Sequence, residues 1–271
     1  MSVLPTSDSH PAILYTFPMQ MGMVKLLLLV AALAPLAAVC EANSCLFPVD
    51  SEGHVRVPSN VSHIRSASFS GCNLTSIVIP DGVMTIGDYS FAGSLLRSIA
   101  FDEGASLIGI GFFAFVGNAA LISIDLPDSL LSIGEHAFDS FSNLRSVLFG
   151  RSLSFLSTSA FQGCSSLETA DFTNCKDLRE MGSFALSECA SLRSLVLPPR
   201  LKAVPPYLCR MCTSLGSVEI PSSVATVGSG AFYRSGRLSS VSFSPTGSLT
   251  VIEAFAFAAC GTLSLWWYQT R

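Results

Sequence analysis

The chain has 271 residues, a formal net charge of −4 and 13% charged side chains. Its 15 Lys and Arg residues are dispersed and form no run, which excludes an electrostatic grip on nucleic acid or on an anionic membrane surface. The length admits one or two compact domains, yet the composition shows no break from about Val55 to Leu265.

Lys25 precedes an unbroken apolar stretch, Leu26 to Cys40, which ends in small residues (Ala37, Ala38, Cys40 and, just beyond, Ala42). As a helix this stretch spans roughly 22 Å, short of the ~30 Å hydrocarbon core. Residues 1–42 are therefore read as a leader and secretory signal peptide, cleaved after about Cys40 or Ala42. An uncleaved membrane anchor is the alternative. A start at Met21 or Met23 would give a signal of more ordinary depth. No second apolar stretch reaches spanning length, and Val39 before Cys40 argues against a lipoprotein site.

Residues 43–71 read as an N-terminal cap and a degenerate first repeat, in which Val55, Val57, Pro58, Val61, Ile64 and Phe69 keep a weak pattern. From there a leucine returns every 22 to 25 residues, at Leu74, Leu96, Leu121, Leu144, Leu167, Leu192, Leu215, Leu238 and Leu263. Phe69, Phe91, Phe115, Phe138, Phe161, Phe232 and Phe257 run in step with it. One small unit copied many times cannot bury its apolar face alone, so the copies over 72–265 stack into a solenoid.

Each copy follows the frame L-x-S-[IV]-x-[ILF]-P, then a turn, then [VL]-x-x-[IV]-G-x-x-[AS]-F. In the first half Ile77 and Ile79, Ile124 and Leu126, and Val218 and Ile220 alternate with variable residues, which predicts a strand. Pro80, Pro127, Pro198 and Pro221 end strands because proline cannot donate to a ladder. The second half is too short in period for a long helix and predicts a short strand or irregular arc. Gly87, Gly134, Gly182 and Gly228 are expected to hold positive-φ turns there. The phenylalanines are expected to stack into an aromatic column on the convex side. Copies of a strand one repeat apart pair in parallel about 4.8 Å apart. Eight copies then make a rod on the order of 40 Å long. Residues 266–271 read as a truncated tail, with Trp266 and Trp267 as an improvised cap; the alternative is a protein that continues beyond Arg271.

The two motif halves, as in Leu74 to Phe91 and Leu121 to Phe138, strongly resemble the BspA-like leucine-rich repeats, also called the Treponema pallidum type. The resemblance covers roughly residues 55–265. It implies a leucine-rich-repeat horseshoe with a parallel β-sheet on the concave face, irregular arcs on the convex face and little helix. It also implies a secreted or surface-exposed protein associated with adhesion and with binding host or matrix proteins, and it supplies no catalytic residues.

The variable strand positions line the concave face. Its central row is expected to contain Val78, Ala100, Asp125, Leu148, Asp171, Val196 and Glu219, and its edge row Arg97, Arg145, Glu168 and Arg193. This face is the candidate site for an extracellular protein partner of a monomeric chain. Cys164, Cys189, Cys212 and Cys260 lie three residues before repeat leucines, either as buried thiols or close enough for disulfides between consecutive copies. Cys45 with Cys72 is the best candidate bridge. Cys209 and Cys212 form C-x-x-C, but both fall on repeat positions, which argues against redox or zinc chemistry. His54, His63 and His136 have no metal-ligand spacing and read as solvated surface groups. Asn60-Val-Ser62 and Asn73-Leu-Thr75 are glycosylation sequons, informative only in a eukaryotic secretory protein. No cofactor, metal or catalytic group is called. The competing readings are a structural repeat segment of a larger surface antigen, and an intracellular scaffold if the apolar stretch is not a signal.

Overall fold

The alternating motif halves fold as strands because every second residue is apolar and is buried against the neighbouring coil. The structure, a computed structural model, describes residues 45–267 except 245 and 262, with 264–267 described as strand backbone only. The chain divides into two units, Met1–Asn43 and Ser44–Arg271. The expected signal peptide, the Trp266 and Trp267 side chains of the expected cap, and residues 268–271 lie outside the described residues.

Each coil contributes one longer and one two-residue strand. The longer strands are β1 (His54–Arg56), β3 (Ser76–Ile79), β5 (Ser98–Phe101), β7 (Ser123–Asp125), β9 (Ser146–Leu148), β11 (Thr169–Asp171), β13 (Ser194–Val196), β15 (Ser217–Ile220), β17 (Ser240–Phe243) and β19 (Ser264–Trp267). Between them lie β2 (His63–Ile64), β4 (Thr85–Ile86), β6 (Gly109–Ile110), β8 (Ser132–Ile133), β10 (Phe155–Leu156), β12 (Glu180–Met181), β14 (Ala203–Val204), β16 (Thr226–Val227) and β18 (Val251–Ile252). All pairing is parallel and joins equivalent residues of adjacent coils, as in Ser76↔Ser98 and Ile86↔Ile110. The longer strands form the ladders β1-β3-β5, β7-β9-β11-β13 and β15-β17-β19; the short ones form a six-stranded and a three-stranded ladder. No helix occurs among the described residues. One register differs from the leucine spacing: Ser240 pairs with Ser264, which sets Leu263 beside Ser239 and one residue out of line with Leu238.

A third set of hydrogen bonds runs along the convex arc. Tyr89, Phe91 and Gly93 donate to Phe112, Ala114 and Val116 of the next coil at 3.0, 2.7 and 2.8 Å. The N–H groups between them, of Ser90, Ala92 and Ser94, instead close turns onto their own coil. This alternation needs left-handed backbone at the first and last of the outward donors. Tyr89 (φ 54°) and Gly93 (φ 67°) take it, and so do the equivalent pairs His136 with Ser140 and Tyr207 with Met211. Most of these residues are not glycine, at a cost of about 1–2 kcal/mol each, offset by the ladder they complete.

The glycines expected to hold positive φ do not. Gly87, Gly134, Gly182 and Gly228 have ordinary φ, and their role is steric. A Cβ on Gly182 would stand 2.1 Å from the Thr158 amide nitrogen, and one on Gly134 would stand 2.5 Å from the Gly111 carbonyl carbon. The arcs pack too closely there for a side chain.

The core is a stack of fully buried leucines and phenylalanines. The rings of Phe69, Phe91, Phe115, Phe138 and Phe161 stack with centroids 5.1, 4.9, 5.2 and 5.0 Å apart. Each such ring contributes about 1.5–3 kcal/mol by burial. Leu186 and Cys209 interrupt the column, which resumes at Phe232 and Phe257, 5.4 Å apart.

The cysteine position before each repeat leucine is a donor position. Cys164, Cys189, Cys212 and Cys260 are free thiols. They donate to the carbonyls of Phe138, Phe161, Leu186 and Phe232 on the preceding coil at 3.1–3.3 Å. Ser94 and Ser235 fill the same position and do the same through Oγ. Asn118 also fills it, and its Nδ2 donates both to Phe91 O and to Phe115 O, each at 2.7 Å. The second bond matters because the next coil has Phe141 at this position and no donor to offer. Cys, Ser and Asn therefore interchange because each presents a small side chain with a proton to a buried carbonyl. Replacing Cys189 by Ser should leave stability within about 0.5 kcal/mol, whereas Ala should cost about 0.5–1.5 kcal/mol by removing the side-chain hydrogen bond to Phe161 O, which then keeps only the 3.4 Å bond from Cys164 N; urea melts of the two variants check this.

Burial raises the thiols of Cys164, Cys212 and Cys260, and it raises that of Cys175 to about 11. A thiol that holds its proton more tightly when folded gives its full stabilisation below the unfolded value of 9.0 and loses it as pH rises through the folded value. The melting temperature should therefore fall above pH about 9. Substituting Cys164, Cys175 and Cys212 together by Ser should flatten that decline, as read by circular dichroism melts across alkaline pH.

Candidate functional site

Alternation along the longer strands hands every second side chain to solvent. In β7, β9, β11 and β13 the middle residue is buried and both flanking residues are exposed. The residues expected on the concave face stand at outward positions of the longer strands or at the residue just before them. Ala100, Asp125, Leu148, Asp171, Val196 and Glu219 are exposed, and Val78 is half-buried. Within each ladder they stand in register: Val78 pairs with Ala100, Asp125 with Leu148, and Asp171 with Val196. Leu148 and Val196 are 61% and 41% exposed, apolar groups open to contact in the middle of the sheet.

The edge row stands at the residue before each strand. Its backbone links coil to coil, through Arg145 N to Ile122 O, Glu168 N to Arg145 O and Arg193 N to Glu168 O, at 2.7–3.0 Å. Arg97, Arg145 and Arg193 are exposed, and none comes within ion-pairing distance of an acid among the described residues, although Glu168 lies between two of them. On the flanks of the coils, by contrast, neighbouring repeats are tied by Arg151–Asp128, Lys202–Glu180 and Arg210–Glu188 at 3.0, 3.2 and 2.6 Å.

The face extends further than the repeat pattern indicated. β1 adds His54 and Arg56 in register with Ser76 and Val78. Arg56 reaches across to Asp102 at 2.6 Å, and His54 bonds the Ser76 hydroxyl. The outward flanks of Val55 in the degenerate first copy carried that signal. Ser98, Ser123, Ser146, Thr169, Ser194 and Ser217 form a row of exposed hydroxyls between the two rows, marked in sequence by the serine of the L-x-S motif.

Other expected positions fall elsewhere. Cys45 and Cys72 are joined by a disulfide, with Cα atoms 6.1 Å apart, beside Phe47, whose ring tilts against Phe69. Asn60 and Asn73 are both exposed, but the Thr75 hydroxyl of the second sequon donates to Glu52 O at 2.7 Å. Cys209 and Cys212 are free and buried in the core. His63 bonds Thr85, but His136 is not the solvated group expected. Its ring stacks on Phe113 at 4.6 Å, and its Nδ1 bonds the Asp139 carboxylate at 2.6 Å. No group of three potential metal ligands occurs among the described residues.

Comparison with known proteins agrees with this architecture. No curated protein matches the chain. Solved structures do. A leucine-rich repeat protein from Bacteroides ovatus superposes with a TM-score of 0.61 at 24% identity, over 78% of this chain and 65% of that one. The chain thus spans about two thirds of that protein's length. The leucine-rich repeat protein of T. pallidum matches with a TM-score of 0.39 at 19% identity over 82% of this chain and 81% of its own. A leucine-rich cell surface protein from Faecalibacterium prausnitzii gives 0.35 at 18% identity, over 82% and 89%. The family model for the BspA-type leucine-rich repeat region matches with 6 copies over residues 46–168 and 153–264. With the L-x-S-I-x-I-P frame, the stacked coils and this match in agreement, the chain belongs to the BspA-type leucine-rich repeat family.

Proposed function

We propose that this is an exported, non-enzymatic repeat protein that binds another extracellular protein through the solvent face of its longer strands, with adhesion to a host or matrix protein as the functional class. The observation that carries this reading is the unpaired charge on that face. Three arginines stand without acidic partners among the described residues, beside exposed Leu148 and Val196, on strands held by parallel backbone ladders. Arginine and exposed aliphatic groups on a rigid support are the elements from which binding hot spots are built. Among the described residues the face has no buried polar cluster of the kind that catalysis needs.

Export is checked by the intact mass of protein recovered from the medium of a secreting host. A mature species beginning near Glu41 or Asn43 is expected; a cell-retained species that keeps Leu26 to Cys40 would favour an anchored protein or an intracellular scaffold.

Binding is checked by immobilising the chain and presenting a panel of purified matrix proteins. Leu148→Arg with Val196→Arg should weaken capture about tenfold or more, as loss of a central apolar anchor does. Phe155→Arg, on the short-strand side, should leave it unchanged. Equal effects from both would place the contact elsewhere.

A further inference from the structure

The charges on the longer-strand face are ordered. Arg97, Arg145 and Arg193 belong to the coils of β5, β9 and β13, and Asp125, Asp171 and Glu219 belong to those of β7, β11 and β15. Each sign therefore recurs on every second coil, and the two rows are out of step by one coil. Paired coils stack about 4.8 Å apart, so Arg145 and Arg193, joined by the unbroken ladder β9-β11-β13, stand about 9.6 Å apart, as do Asp125 and Asp171; the ladder is interrupted between β5 and β7 and between β13 and β15. The two rows lie three residues apart along the strands, a width of about 10 Å. Where a coil gives an arginine to the edge row, it gives Ala100, Leu148 or Val196 to the central row.

We infer that this face takes an extended polypeptide in the polyproline II conformation, lying along the solenoid axis, with an acidic residue at every third position against the arginine row and basic residues against the acidic row. The inference rests on the reading of this face as the partner site. Polyproline II has three residues per turn and rises 3.1 Å per residue, so its same-side groups recur at about 9.3 Å. Between Arg145 and Arg193 the mismatch is about 0.3 Å. A β-strand repeats its same-side groups at about 6.6–6.8 Å and cannot keep step with a 9.6 Å row. In an α-helix the nearest same-face repeat, seven residues, is about 10.5 Å, about 0.9 Å out over the same interval. The four exposed acids Asp125, Glu168, Asp171 and Glu219 outnumber the three arginines, which disfavours a polyanion and selects a partner carrying both signs. The central aliphatic groups meet the apolar surface of proline-rich turns.

The test is fluorescence polarisation of the chain with two labelled synthetic peptides of equal charge, (Glu-Pro-Lys)4 and (Glu-Pro-Pro-Lys)4, each at low and high salt, and with heparin as the polyanion. The period-three peptide should bind about tenfold more tightly than the period-four peptide, and it should weaken with salt. It should lose about tenfold in an Arg97→Ala/Arg145→Ala/Arg193→Ala variant that melts at the parent temperature. Equal binding of the two peptides, both lost in the variant, overturns the period and leaves the face as the partner site. If neither peptide binds while a matrix protein does so in a Leu148-dependent way, the polyproline II partner is overturned and the face reading stands. Binding of either peptide that the variant does not alter, or heparin binding tighter than both, overturns the assignment; in the first case the face reading falls with it.

Discussion

The hydrogen-bonded distance between one coil and the next is the constraint on which the rest of this structure depends. Backbone ladders on the longer strands, on the short strands and along the convex arc join residue to equivalent residue; where the longer-strand ladder is interrupted, between β5 and β7 and between β13 and β15, the short strands and the arc still hold the coils at a pitch of about 4.8 Å. Flat rings suit that pitch: the phenylalanine column spaces its centroids at 4.9–5.2 Å from Phe69 to Phe161. Backbone that approaches more closely cannot carry a Cβ, which is why glycine recurs beside β4, β8, β12 and β16. The left-handed residues of the arc answer to the same demand, since only that conformation turns alternate N–H groups towards the next coil.

Where a coil departs from the pattern, a neighbour supplies what the pitch requires. Phe141 takes a donor position without a donor, and Asn118 uses its second amide hydrogen on the carbonyl left over. Leu186 and Cys209 break the inner aromatic column, while the outer stack of Tyr89, Phe113 and His136 on earlier coils recurs on these two as Phe184 on Tyr207 at 4.8 Å. On the coils just before, Phe149 packs on Phe172 at 4.2 Å and edge-on to Phe161 at 5.6 Å. Substitutions are thus tolerated where the lost atoms or protons can be replaced within one coil's reach. That is the physical content of degeneracy in such repeats, whose energetics are dominated by nearest neighbours.

The strands, their parallel register, the inward rows and the aromatic column were legible in the sequence because they follow from periods of two and of one repeat. The candidate face was legible for the same reason: once Ile77 and Ile79 point inwards, Val78 points out. What the sequence left unread depends on backbone conformation or on contacts between coils. Gly182 and a positive-φ glycine look alike in sequence; only the 2.1 Å approach of Thr158 N separates them. The cysteines looked like small apolar fillers because their partners are main-chain carbonyls, which leave no trace in side-chain identity. Ser94, Ser235 and Asn118 at the same offset were the available clue. His136 looked solvated because neither its stacking on Phe113 nor its bond to Asp139 follows from the motif. Arg56 was missed because its copy lacks the leading leucine.

The division of labour between core and face also explains why charge is sparse overall and yet ordered on one surface. A solenoid of this pitch has little room for long charged side chains between coils, so those present either tie neighbouring repeats, as Glu188 and Arg210 do, or stand on a face where nothing packs. On that face the core fixes where each side chain emerges but not what it is. Because backbone ladders hold the coils, the rows have little freedom to stretch or slip within a ladder, and little ordering entropy is left to lose on binding. A rigid array of this kind discriminates by spacing as much as by individual contacts: a partner whose charges recur at the wrong interval satisfies one arginine and misses the next.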